Sequence, residues 1–298
     1  YILILELEVV IIRNSFNDLF DYIDDINKEN EITPPKKVNK KLSFSINILA
    51  ILLLVSGGYG IKYIMDQQED VRDTELRQEE LLLNSQKQVS ELKRIVLENE
   101  NEDTDEDNKT NTYRDFSLLL KGNSDTIGWL YVPGTEIDMP IVQSGDNDYY
   151  LSHNFDKESS SMGWAFADYQ NTFPELSSNT IMYGHTYRGT TIFSNLKNVL
   201  NSDWLNNSNM HIITFDTLKE RLTFQVFSVY TIEETNDYLY INFENKDQYQ
   251  KYLDREVKRS VKDFEVEITS NDKILTLSTC YIDEHHRLVL HAKLIGAL

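Results

Sequence analysis

Between Ile127 and Ile295 the chain is cut into short runs rich in Val, Ile, Leu, Tyr and Phe, and this pattern restricts the fold more than any other feature. The strand candidates are Ile127 to Val132, Ile137 to Val142, Gly163 to Ala167, Thr180 to Tyr183, His211 to Phe215, Arg221 to Tyr230, Lys273 to Cys280 and Leu288 to Ile295. Short alternating runs bounded by turn signals such as Pro133-Gly134 read as strands. Many of them at modest spacing imply a closed or nearly closed β-barrel, not a doubly wound sheet. One longer helical stretch interrupts them, Lys246 to Val261, where Tyr249, Tyr252, Leu253 and Val257 recur at helical spacing and read as core packing rather than a ligand box. A short helix over Tyr113 to Lys121, with Phe116, Leu119 and Leu120 on its apolar face, opens this domain.

The residues before it are of another kind. Leu42 to Ile64 is the one long apolar run, and about 20 such residues suffice to cross a bilayer as a helix. Lys36, Lys37, Lys40 and Lys41 precede it, whereas Asp66, Glu69 and Asp70 follow. By the positive-inside rule residues 1–41 form a cytoplasmic tail, 42–64 an uncleaved single-pass membrane anchor, and everything beyond lies outside the cell. From Val71 to Leu97 the residues are strong helix formers, with Leu82, Val89 and Val96 recurring every seven and Leu92 between them. This reads as an amphipathic stalk helix that packs on the protein's own domain in preference to a coiled-coil dimer, because Ser85 and Asn99 occupy the alternate seam. Glu98 to Asp107 is dense with carboxylates and reads as a solvated linker, so that residues 65–110 form a helical and acidic stalk and 111–298 the globular domain. The net charge of −20 sets nucleic acid aside as a partner, since a phosphate backbone is bound through clustered Lys and Arg.

Cys280 is the only cysteine in 298 residues, so no intrachain disulfide is possible. In Ile274 to Thr279 the alternation puts Leu275 and Leu277 on one face and Thr276, Ser278 and Cys280 on the other, with Cys280 at the strand's end. Tyr281 to Arg287 is polar enough to be a loop, after which Leu288 begins a returning strand, so thiol and guanidinium stand on neighbouring strands. A lone cysteine in a strand is more often a small buried hydrophobe than a nucleophile. A nucleophilic cysteine needs a histidine, and of the six available, His285 and His286 are nearest in sequence, His153, His211 and His291 lie in or beside strands, and His185 follows Tyr183-Gly184. Spacing alone does not choose among them.

With these residues in place the sequence resembles the sortases, membrane-anchored cysteine transpeptidases of Gram-positive bacteria, and most closely class B. Thr276-Leu277-Ser278-Thr279-Cys280 with a following arginine matches the active-site signature, and Tyr183-Gly184-His185 the catalytic-histidine segment. The run from Ile127 to Gln143, then Asp146-Asn147 and Tyr150-Leu151, is similar to the class B opening of the barrel, and the helix at Lys246 to Val261 is the class B insertion. The likeness covers about Tyr113 to Ile295. It implies an eight-stranded sortase β-barrel, mostly β with added helices, in which Cys280 is the nucleophile, His185 its acid/base partner and Arg287 the stabiliser of substrate and oxyanion. It further implies that Asn147, Leu151, Tyr183, Tyr238 and Ser278 contact the sorting signal. The loop from Cys280 to Arg287 departs from the pattern in being short and in carrying His285-His286.

The resemblance implies cleavage of an LPxTG-like sorting signal, or a class B variant, between Thr and Gly through a thioacyl intermediate on Cys280. A cell-wall amine, lipid II-like, would then accept the surface protein, with no cofactor and no metal. Two other readings share the barrel: a pilin-polymerising sortase with a lysine as acceptor, and a catalytically silent membrane-anchored scaffold. The intact Cys, His and Arg set argues against the scaffold.

Overall fold

The computed structural model describes residues 40–99, 114–186, 192–281 and 283–298, without the side chains of 40–51, 92–93, 95–99, 280–281 and 283–284. Residues 1–39 of the expected 1–41 tail and most of the acidic linker lie outside these residues. Eight strands close into a barrel: β1 (Thr126–Tyr131), β2 (Asp138–Val142), β3 (Phe166–Ala167), β4 (Asn179–Tyr183), β5 (Ile212–Thr217), β6 (Arg221–Glu233), β7 (Ile274–Tyr281) and β8 (Asp283–Ala297). Their order around the barrel is β1-β2-β3-β4-β7-β8-β6-β5. Most neighbours are antiparallel, but β2 pairs β3 and β4 pairs β7 in parallel. The helices are α1 (Lys40–Asn99), α2 (Ser117–Gly122), α3 (Ser202–Leu205) and α4 (Lys246–Arg259).

The barrel is filled by inward side chains of its long strands, among them Leu130, Ile141, Phe215, Phe224, Leu277 and Leu290. Gly134, in the turn after β1, takes φ +74 against the Trp204 ring, a backbone region that glycine enters without the steric cost other residues meet. Helix α4 starts at Asn245, whose side chain accepts a bond from the Gln248 N–H and so caps an otherwise unpaired donor. Its stripe of Tyr249, Tyr252 and Leu253 packs on Phe227, Ile268 and Ile274. Val257, expected on that stripe, is 39% exposed, and Glu256 is buried in its place.

Two expectations are corrected. The returning strand begins at Asp283, not Leu288: β6 extends to Glu233 and pairs with His286 and Arg287, which gives the polar residues after the turn a backbone partner. The membrane span expected at 42–64 lies within α1, yet among the described residues no helix is long and apolar enough to cross a membrane. Leu52 to Val55 is apolar, but Ser56, Gly57, Gly58 and Lys62 dilute the run before Asp66 and Gln67 end it.

The chain divides into two compact units, Tyr1–Tyr63 and Ile64–Leu298, so α1 from Ile64 onward belongs to the same unit as the barrel. Within that unit Thr74, Leu81 and Ser85 are buried, Leu81 in the main core, at the spacing of one helical face. Ser161 gives both its N–H and its hydroxyl to Asp70, and Arg77 pairs with Asp156 at 2.6 Å. The buried face centres on Thr74, Leu81 and Ser85, with Leu82 of the seven-residue seam half-buried against the core beside it, and the Val96 side chain lies outside the described residues.

Candidate active site

Two adjacent strand pairs build the site. Parallel pairing of β4 and β7 puts Tyr183 beside Ser278, and the Gly184 N–H donates to the Ser278 carbonyl at 3.4 Å. The hydroxyls of Thr186 and Thr279 are hydrogen-bonded to each other, which ties the residue after His185 to the residue before Cys280. On the other side of β7, antiparallel pairing with β8 puts the Cys280 backbone opposite Arg287. The Cys280 side chain lies outside the described residues, so its surroundings are set by register: one neighbour strand leads to His185 and the other carries Arg287.

Around this point the surface forms a groove of about 320 Å³ whose lining includes His185, Arg287, Asn147, Leu151, Tyr183, Tyr238 and Ser278. Every site residue inferred from the sequence whose side chain is described therefore meets there. The other histidines do not line it. His291 is fully buried, His211 is buried against Trp204, and His153 stacks on Tyr149 at 4.1 Å. His285 is exposed on β8, and neither it nor His286 lines the groove.

His185 Nε2 lies 3.1 Å from the Leu151 carbonyl. A carbonyl only accepts, so Nε2 carries the proton and the neutral ring keeps its lone pair on Nδ1. Burial lowers the imidazole's pKa below its ordinary value, and the Leu151 bond offsets part of that. The ring is thus neutral at pH 7, with Nδ1 as its basic atom. Glycine at 184 meets a need of packing rather than of backbone sign: a Cβ there would stand 2.5 Å from the Phe193 ring.

Arg287 is held by Glu234, whose Oε1 accepts from Nη2 at 2.6 Å, while Nη1 donates to the His286 carbonyl at 3.2 Å. The guanidinium is 19% exposed and the carboxylate 60%, so the pair sits at the groove's rim. The wall opposite is organised by Asp168, which accepts from Tyr183 at 2.9 Å and from Asn147 at 2.8 Å on the same oxygen. Burial and then the Asp168 charge push the Tyr183 phenol well above its ordinary range, so it stays a neutral donor. At the floor the hydroxyls of Tyr238 and Ser278 are 2.9 Å apart, and both residues are buried.

Sequence reasoning missed Glu234, Asp168, Phe166 and Leu239. Phe166 carried a signal, since it lies in a predicted strand. Asp168 and Glu234 carried none, because each acts through a partner distant in sequence. Among the described residues no cluster of His, Cys, Asp and Glu is arranged to hold a metal ion.

Comparison with known proteins agrees with this geometry. The sortase domain family matches residues 130–295. Sortase B of Staphylococcus aureus is 31% identical over 261 residues, which cover 86% of this chain and 98% of that protein. A solved Staphylococcus aureus sortase B–substrate complex superposes with a TM-score of 0.59 at 31% identity, covering 72% of this chain and 95% of that one. A sortase B complexed with triglycine gives a TM-score of 0.60 at 30% identity, covering 72% and 96%.

Proposed function

The chain belongs to the sortase family of cysteine transpeptidases, in its class B kind, and from that premise we propose that it cleaves an LPxTG-like or class B variant sorting signal between Thr and Gly and joins the surface protein to a cell-wall amine. The observation that carries the reading is that one groove receives His185 from the segment after β4 and Arg287 from β8, on either side of the strand that ends at Cys280. A sorting signal fits such a groove because an extended peptide can lay its backbone along Asn147 and Leu151 on one wall and Tyr238 on the other. The solved relative bound to substrate supports a peptide, and the one bound to triglycine supports an amine acceptor.

In this mechanism the Cys280 thiolate attacks the threonine carbonyl carbon, and Arg287 offsets the charge that develops on the carbonyl oxygen. The tetrahedral species collapses with cleavage of the C–N bond, and the departing glycine amine takes a proton from His185. A thioester on Cys280 remains. The acceptor amine then attacks it, gives a proton back to His185 and expels the thiolate. Only the minor protonated fraction of His185 can supply the first proton, since burial keeps the ring neutral, and slow turnover follows.

The test is to incubate the chain with a panel of sorting-signal peptides and with triglycine, and to identify products by mass. The proposal expects release of the fragment beginning at the signal's glycine and a product in which the signal's threonine is joined to triglycine. Release without any exchange product would reduce the activity to hydrolysis, and no release from any peptide would overturn the proposal.

A further inference from the structure

The barrel-facing side of α1 reaches the segment that returns from His185. The Gln78 side-chain oxygen accepts the Ile192 backbone N–H at 3.2 Å, and its nitrogen points at the Met139 sulfur on β2 at 3.6 Å. Ile192 is an unusual residue to find here. It is buried and its φ is +53, the left-handed region where a β-branched side chain is a genuine outlier. Such a conformation persists only where the surroundings over-determine it, and such residues cluster at active sites.

The next residue transmits this placement. The Phe193 N–H donates to the His185 carbonyl at 3.3 Å, and its ring lies against Gly184 so closely that no Cβ would fit. Phe193 is fully buried, so it cannot move without the core. His185 is thereby held by its backbone through Phe193 and by its ring through Leu151. The Gln78 bond is the link from α1 into this arrangement.

We propose that Gln78 is a positioning residue for His185, and that α1 is a strut which completes the active site as well as a stalk leading to it. The role rests on the reading of His185 as the acid/base partner. A carboxamide suits the task because its oxygen satisfies the Ile192 N–H at the edge of a buried segment, where an unpaired donor is costly. Losing that bond frees the Ile192 backbone to relax from the left-handed region, and Phe193 and His185 relax with it. A catalytic group displaced by about 1 Å can cost on the order of a hundredfold in rate, so a partial relaxation is expected to cost about tenfold.

The experiment uses the full chain with Gln78→Leu, which removes both hydrogen-bonding groups at similar size, and Gln78→Glu, which keeps the acceptor oxygen. In Gln78→Leu, kcat for peptide exchange falls about tenfold while KM stays near the parent value, and Gln78→Glu recovers most of the rate. Titration of the His185 ring by NMR gives a second readout that needs no turnover: in Gln78→Leu its pKa moves up toward the ordinary value as the ring gains water. Unchanged kcat and unchanged titration in Gln78→Leu would overturn the inference, as would a Gln78→Glu variant as impaired as Gln78→Leu. A parent chain without exchange activity would defeat the functional reading, and the titration would still decide whether Gln78 places His185.

Discussion

Strands β7 and β8 carry two polar sites a few residues apart, one built on a histidine and one on an arginine, and only one of them opens to solvent. At the register pair Thr276 and His291, His291 Nδ1 is 2.8 Å from the Thr276 hydroxyl and Nε2 is 3.0 Å from the Tyr230 hydroxyl. Tyr230 donates to Glu256, which is further held by Arg255 and Arg259. All four of Thr276, His291, Tyr230 and Glu256 are buried. At the register pair Cys280 and Arg287, Arg287 lines a groove and is held by the exposed Glu234. The inner site has a carboxylate, an imidazole and hydroxyls within reach of one another, yet no substrate can enter. Its sealed network fixes α4 to the barrel, whereas the outer site leaves its charges where a peptide can meet them. Accessibility, not the list of residue types, separates the sealed cluster from the one proposed to be catalytic.

The sharpest way to break this contrast is to remove each histidine in turn. His185→Ala is expected to lower exchange by roughly 10²–10⁴-fold, the range for loss of an acid/base group, with little change in the unfolding midpoint. His291→Ala is expected to do the reverse, lowering the midpoint clearly while kcat per folded molecule stays near that of the parent. Peptide-exchange kinetics beside thermal melts read both. A His291→Ala variant that is fully stable but inactive would contradict the division.

Next in size is the inner carboxylate. Burial pushes the Glu256 carboxyl up, but the imidazole of His291 3.7 Å away and the bonds from Tyr230 and Arg255 outweigh it and bring it down to about 2. Glu256→Ala takes the acceptor from the buried Tyr230 hydroxyl and a partner from Arg255 and Arg259, which keep Asp237 and part of their hydration, so the loss is about 1–3 kcal/mol. Urea unfolding measures it, and a loss typical of surface sites would show the network to be ornamental. The same group sets the acid response. A carboxyl lowered on folding stabilises above its ordinary value of 4.5, and that stability is lost as pH falls from there toward about 2. His291, lowered by complete burial, acts earlier: it is held neutral in the fold, so stability begins to fall as pH drops below the ordinary imidazole value of 6.5. Unfolding midpoints followed from pH 8 to pH 3 should decline in those two stages, and His291→Ala should flatten the first.

The eight strands were legible because each is a local pattern, an alternation closed by a turn, and the helix at Lys246 was legible for the same reason. The segment at Cys280 and the one at His185 were legible as motifs. What local pattern could not show is whatever depends on a distant partner. The polar residues from Asp283 to Arg287 read as a loop because nothing nearby pairs them, and they form a strand because β6 runs on to meet them. Glu256 lies outside the apolar stripe that the sequence shows on its helix, and it is buried where two arginines and a tyrosine converge on it. Glu234 and Gln78 meet Arg287 and the His185 segment across 53 and 114 residues of sequence, which no local pattern reports.

The smallest effect belongs to the rim. Exposed ion pairs contribute about 0–1 kcal/mol, so Glu234→Gln should leave stability almost unchanged. Its effect falls on the orientation of Arg287, with a few-fold loss of kcat at low ionic strength that narrows as added salt screens the pair in the parent. Steady-state kinetics over a salt series reads this. A large drop in stability would place Glu234 with the inner network and erase the contrast.

The central claim is that Cys280 becomes acylated in the groove that His185 and Arg287 line, and intact-mass spectrometry of the chain after brief exposure to a sorting-signal peptide tests it most directly. The account predicts a mass increase equal to the peptide up to its threonine, located on Cys280, absent in Cys280→Ala and strongly reduced in His185→Ala. An adduct that forms as readily in His185→Ala, or a folded protein whose Cys280 takes an alkylating reagent but no peptide, would contradict it.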